Sequence, residues 1–81
     1  METHELIRAL REDRDLSQTE VGSHVNISQR KLSFIELGRT EPHLDDIRNL
    51  CRFFNVSADY LLGLPEGLPY PKRESPLKKQ K

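Results

Sequence analysis

Residues Ser17 to Pro42, SQTEVGSHVNISQRKLSFIELGRTEP, decide the fold. Ser17-Gln18-Thr19-Glu20 is a capping box: the Ser17 hydroxyl can accept the Glu20 N–H while the Glu20 carboxylate reaches back to the Ser17 N–H. Val21 and Val25, four apart, then share one helical face. Asn26 tolerates the left-handed backbone and closes this helix. Ile27 follows as an apolar plug, and Ser28 is the next N-cap. A second helix carries Leu32 and Ile35 inward and stops at Gly38, the residue type best suited to a left-handed closing position.

Two capped helices joined by so short a turn must cross at a large angle, the helix-turn-helix arrangement. What the second helix points outward then decides what the protein does. Working outward, a first helix is expected over Thr3 to Arg14, with Ile7, Leu10 and Leu6 facing inward among Arg8, Arg11, Glu12 and Arg14. Asp13-Arg14-Asp15 reads as a polar connection, and Leu16 re-enters the core. Beyond Gly38, Arg39-Thr40-Glu41-Pro42 is a short loop, since Pro42 disfavours helix at Glu41. A fourth helix is expected from Leu44 to Phe54, with Leu44, Ile47, Leu50, Cys51 and Phe54 inward and Asp45 and Asp46 well placed in its first turn. Asn55 is a second left-handed closure. Val56 plugs, Ser57 caps, and Ala58 to Leu62 form a short fifth helix ended by Gly63. The expectation is an all-α, compact five-helix bundle over residues 1–63.

From Leu64 onward LPEGLPYPKRESPLKKQK carries four of the five prolines. Proline at that density removes donors and blocks helix, so residues 64–81 are expected to form an extended or disordered, basic tail, a solvated segment with no partner. The 81-residue chain has thirteen basic and thirteen acidic side chains, but they are unevenly spread. Residues 1–63 hold eight basic and eleven acidic groups, net −3, and residues 64–81 hold five and two, net +3. The helical part therefore lacks the bulk basicity that usually advertises a nucleic-acid binder, and attraction must come from local placement.

The single cysteine, Cys51, excludes an intrachain disulfide and a cysteine-based zinc site, and its place on an apolar stripe makes it a small core residue. His4, His24 and His43 have no ligand-like spacing. Neither a catalytic Ser-His-Asp grouping nor a glycine-rich phosphate loop is present, so no enzyme and no cofactor is expected. With no signal peptide and no apolar run of membrane-spanning length, a cytoplasmic protein without membrane contact is expected.

The stretch from Leu16 to Pro42, with the VSADYLLGL close, resembles the lambda-repressor/Cro-type (Xre-like) helix-turn-helix domains of bacteria and phages. Those read L-S-Q-x-x-L-A, then G-V-S, then I-x-x-x-E-x-G-x-x-x-P, and close with L-G-V-S-x-D-Y-L-L. Leu16, Ser17, Gln18, Ser28, Glu36, Gly38, Pro42, Val56, Ser57, Asp59, Tyr60, Leu61 and Leu62 match, and the resemblance spans residues 6–63. It implies a transcriptional regulator, normally a repressor, that binds double-stranded operator DNA, an inverted repeat, as a homodimer. Four residues depart from the pattern. Asn26 replaces a usual glycine, Gly22 a usual alanine, and Phe34 and Leu37 stand where polar or basic groups are commoner.

On a helical wheel Leu32, Ile35 and Glu36 lie on one side of the second motif helix, and Gln29, Arg30, Ser33, Phe34 and Leu37 on the other, with Lys31 at the edge. Within the motif the outward set is the base-reading set. Gln29 suits the N6/N7 edge of adenine, Arg30 suits guanine or a phosphate, Ser33 serves either, and Phe34 packs on a thymine methyl. An ordinary solvated helix face is the plain alternative. Phosphate contacts are expected from Gln18 at a helix N-terminus, from Ser28 and Lys31, and from Arg39, Thr40 and His43. Arg11 and Glu36 should pair, a contact the resemblance also implies. Tyr60, Leu62 and Leu64 are the candidate dimer surface. The rival reading is a protein-interaction or antitoxin-type module, in which an exposed Phe34/Leu37 patch binds a toxin or anti-repressor.

Overall fold

The computed structural model describes residues 1–65; most of the expected proline-rich tail, from Glu66 on, lies outside them. Five helices follow in order: α1 Thr3–Asp13, α2 Gln18–Val25, α3 Gln29–Glu36, α4 Leu44–Phe54 and α5 Ala58–Leu62. Among the described residues there is no strand, and the architecture is the expected five-helix bundle.

Local chemistry sets the helix ends. Ser17 accepts the Glu20 N–H at 3.0 Å and donates its own N–H to the Glu20 carboxylate at 2.8 Å, completing the capping box. The Ser17 N–H and hydroxyl hold the Glu20 carboxyl below its ordinary pKa. Ser28 and Ser57 cap α3 and α5 in the same way, accepting the Lys31 and Tyr60 N–H groups, each at 3.0 Å. Asn26 (φ 62°), Asn55 (φ 59°) and the two glycines Gly38 and Gly63 (both φ 75°) are left-handed, as their residue types require at helix closures. Asp15 (φ 55°) is a further left-handed residue, which no spacing announced. It turns the chain so that the Leu16 N–H reaches the Arg11 carbonyl at 3.2 Å. Helix α1 stops one residue early, at Asp13. Arg14 instead spans to α4, giving a hydrogen bond to the Phe54 carbonyl at 3.0 Å and lying 5.1 Å above its ring.

Ile7, Val21, Val25, Ile27, Leu32, Ile35, Ile47, Leu50, Phe54 and Leu61 form one core drawn from all five helices and the α2–α3 turn. Leu6, Leu10, Leu16, Cys51 and Val56 are half-buried at its margin. Burial pushes the Cys51 thiol pKa up, as suits a packing residue rather than a nucleophile. Leu44 corrects the reading: although in phase with the inward stripe of α4, it is 74% exposed. It opens the helix, and side chains of a first turn lean back towards the N-terminus, here past the edge of the core.

Gly22 has a specific reason to be glycine. The chain after Asn26 folds back so that the Ile27 N–H meets the Gly22 carbonyl at 2.9 Å. A Cβ on Gly22 would run into the Ile27 carbonyl oxygen. That contact lets α2 and α3 approach backbone to backbone and places α3 across the front of the bundle.

Candidate nucleic-acid interface

Helix α3 is anchored at its C-terminal end by an interior charge. Glu36 is buried, and Arg11 of α1 grips it with a fork, Nε to Oε2 at 2.7 Å and Nη2 to Oε1 at 2.9 Å. Arg11 spends a further N–H on the Leu16 carbonyl at 2.8 Å. Hydrogen bonding to Glu36, opposed by burial, raises the guanidinium pKa, so Arg11 keeps its charge in this site. The expected Arg11–Glu36 contact is therefore present.

From Glu36 the network runs outward. Its Oε1 also accepts the Gln18 side-chain amide at 2.9 Å, and the Gln18 oxygen accepts the Gln29 amide at 2.6 Å. Gln18 opens α2 and Gln29 opens α3, so this chain of bonds ties both helix starts to the interior pair. Sequence spacing placed Gln18 and Gln29 at separate tasks; their contact appears once the crossing of α2 and α3 brings two first-turn positions together. Gln29 keeps its oxygen and its second amide hydrogen free, because a primary amide carries two donors.

On the outer side of α3, Gln29 and Arg30 are exposed while Ser33 and Phe34 are half-buried. The Arg30 guanidinium lies 5.6 Å from the centre of the Phe34 ring and covers part of it. This corrects the expected apolar patch. Leu37 is 55% exposed, but Phe34 is partly sheathed by a cation four residues earlier, so the two do not form one bare surface. Leu37 also lies beyond the last helical residue, Glu36.

Around this face, Ser28 is exposed but its oxygen is engaged by the Lys31 N–H. Arg39 and Thr40 stand exposed in the loop after Gly38, and His43 caps α4 with its N–H on the Asp46 carboxylate at 2.9 Å. Lys31 is not free: its ammonium sits 3.0 Å from Asp46 and 3.2 Å from His43 Nδ1. Fifteen residues separate Lys31 from Asp46, and their meeting depends on the path of the α3–α4 loop, for which the sequence carries no local signal. Tyr60, Leu62 and Leu64 are between 43% and 48% exposed, whereas Leu61 is wholly buried.

These features define the class: a helix-turn-helix module whose second helix is pinned from behind and displayed in front. Residues 5–62 match the family described as helix-turn-helix domain, and the chain belongs to it, as a lambda-repressor-type member of these DNA-binding transcription regulators. Among solved structures, the P22 c2 repressor in complex with a synthetic operator is similar at a TM-score of 0.73 and 32% identity, over 76% of this chain and 94% of that one. A transcriptional regulator from Listeria innocua shares the fold at a TM-score of 0.74 and 20% identity, over 86% of this chain and 65% of that one. The HTH-type transcriptional activator BcrR of Enterococcus faecalis is 30% identical over 75 residues, which are 93% of this chain and 37% of the relative. The chain thus spans little more than a third of that relative's length.

Among the described residues, no helix is long and apolar enough to cross a membrane, and no group of three His, Cys, Asp or Glu side chains could hold a metal.

Proposed function

We propose that the chain is a sequence-specific double-stranded DNA-binding regulator, a repressor that lays α3 in the major groove of an inverted-repeat operator. The observation that carries this reading is the bond that the Gln29 amide donates to Gln18, backed by Glu36 and Arg11. It holds the first outward residue of α3 in one orientation while leaving that residue a free acceptor and a free donor. Those are the two groups needed for the N6/N7 edge of adenine. Arg30, Ser33 and Phe34 continue the reading surface, Phe34 by apolar contact with a thymine methyl. The P22 c2 repressor structure contains an operator, and the same seating is transferred here.

Backbone contacts come from both flanks. Gln18 lies at the start of α2, where unpaired N–H groups and the helix dipole favour an anion. Ser28, Arg39 and Thr40 surround the far side. Tyr60, Leu62 and Leu64 form the two-fold contact that sets half-sites about one DNA turn, roughly 34 Å, apart. Monomeric sedimentation both free and on DNA would remove that part of the proposal.

Selection of duplexes from a random pool, followed by titration of variants at several salt concentrations, tests the reading. Phe34→Ala is expected to relax preference at one base pair by about 1–3 kcal/mol. Arg39→Ala should weaken binding to selected and scrambled duplexes alike and flatten the salt dependence by about one unit. If discrimination survives the first change and the salt slope survives the second, α3 serves a protein partner instead.

A further inference from the structure

The contact between Lys31, Asp46 and His43 joins the candidate DNA-facing helix to the start of α4. The Asp46 side chain is 11% exposed, that of Lys31 34% and that of His43 78%. Burial raises the Asp46 carboxyl pKa, but the His43 N–H and the Lys31 ammonium outweigh it and hold the group below its ordinary value. Asp46 is thus a fixed anion, and the ammonium beside it is partly neutralised just where a phosphate would compete for it. His43 contributes a second restraint. Its Nδ1 lies 3.2 Å from the Lys31 ammonium, which can only donate, and the same side chain caps the Asp46 backbone N–H.

On top of the DNA-binding reading, we propose that Asp46 is a positioning residue that withholds Lys31 from the DNA backbone, and that protonation of His43 releases it. When Nδ1 gains a proton it becomes a donor, and two cations 3.2 Å apart repel. The Asp46 carboxylate oxygen, 3.7 Å from Nδ1, can accept the new N–H. The imidazolium takes over the carboxylate, and Lys31 swings on its long stem to solvent. The charged groups facing His43 are Lys31 from α3 and Asp46 from α4. Asp45 in the same turn pairs with Arg48, and Glu41 in the preceding loop is exposed. The chain would therefore grip DNA harder once His43 is protonated, through a lysine whose own charge is unchanged.

The test compares Asp46→Asn with Asp45→Asn, which removes the same charge from an exposed neighbour and leaves Lys31 held. In Asp46→Asn the side-chain amide oxygen can still accept the His43 N–H, and melting of each variant checks that the cap survives. At pH 7.5 Asp46→Asn is expected to raise affinity for selected and scrambled duplexes several-fold beyond Asp45→Asn. It should also steepen the salt dependence by about 0.9 unit, one more phosphate neutralised. In wild type the same steepening should appear on acidification and be absent from Lys31→Gln and His43→Gln. Equal effects of the two asparagine variants would overturn the proposal, as would a full acid response in Lys31→Gln, which would mean that His43 binds DNA alone. An NMR titration of the His43 ring in the DNA-free protein separates the two layers. If that ring responds to Lys31→Gln while no duplex is bound at any pH, the DNA reading fails and the release mechanism falls with it. If duplexes are bound but Asp46→Asn matches Asp45→Asn, the release mechanism alone fails.

Discussion

Two ion pairs hold α3 to the bundle, and they are built on different terms. At its end, Glu36 meets Arg11 through two parallel hydrogen bonds, with side chains 3% and 13% exposed. On its edge, Lys31 meets Asp46 through one contact, with the lysine 34% exposed. The first pair is closed: both carboxylate oxygens are engaged, by Arg11 twice and by Gln18 once. The second is open, a flexible cation resting against a fixed anion with solvent beside it. A planar guanidinium fits a carboxylate in a single arrangement, whereas an ammonium on a four-carbon stem accepts many. One helix is therefore anchored where its geometry must not vary and loosely tethered where its charge is useful.

The sharpest way to break this contrast is Glu36→Ala. It strands the Arg11 guanidinium in a half-buried site, and removing one partner of a buried pair costs on the order of 3–5 kcal/mol. For a domain of this size that lowers the melting midpoint by about 15 °C or more, readable by circular dichroism; an unshifted midpoint would mean that the pair is not structural. Gln18→Ala comes next. It removes a donor to an ionised carboxylate, worth about 1.5 kcal/mol, and frees Gln29, so stability in urea and preference at the Gln29 base should fall together. Lys31→Gln should cost less than about 1 kcal/mol, since a solvent-facing single contact contributes little. A loss comparable to that of Glu36→Ala would erase the distinction.

The smallest effect is a pH dependence of stability. The Asp46 carboxyl is lowered in the folded chain, so it binds protons less readily there than when unfolded. Its stabilising contribution is complete above the unfolded carboxylate pKa, about 3.9, and vanishes as pH falls through the folded value. The melting midpoints of wild type and Asp46→Asn should accordingly differ at pH 6 and draw together as the pH falls below the unfolded carboxylate value.

Much of this was legible before any coordinates, for local reasons. Ser17, Ser28 and Ser57 cap, and Asn26, Gly38, Asn55 and Gly63 close, because each choice is decided within four residues of chain. The pairing of Arg11 with Glu36 was readable as well, since a wheel places a charge beside the inward stripe. Leu44 misled because periodicity reports phase but not where the core ends. Phe34 looked bare because a wheel shows direction but not the arginine one turn earlier that folds over it. The bond between Gln18 and Gln29 and the meeting of Lys31 with Asp46 depend on how one helix crosses another, and that angle is written in no single segment. The residues at the candidate interface were thus named from sequence, while their mutual contacts were not.

The crossing itself rests on Gly22, with the Ile27 carbonyl seated where a Cβ would stand. Most helix pairs are spaced by side chains, and a side chain can repack by changing rotamer. A pivot of main chain on main chain has no such loose parts. The spacing of α2 from the turn that launches α3 is consequently set by main-chain atoms in contact, and any residue larger than glycine at position 22 would have to push that turn, and α3 with it, outward.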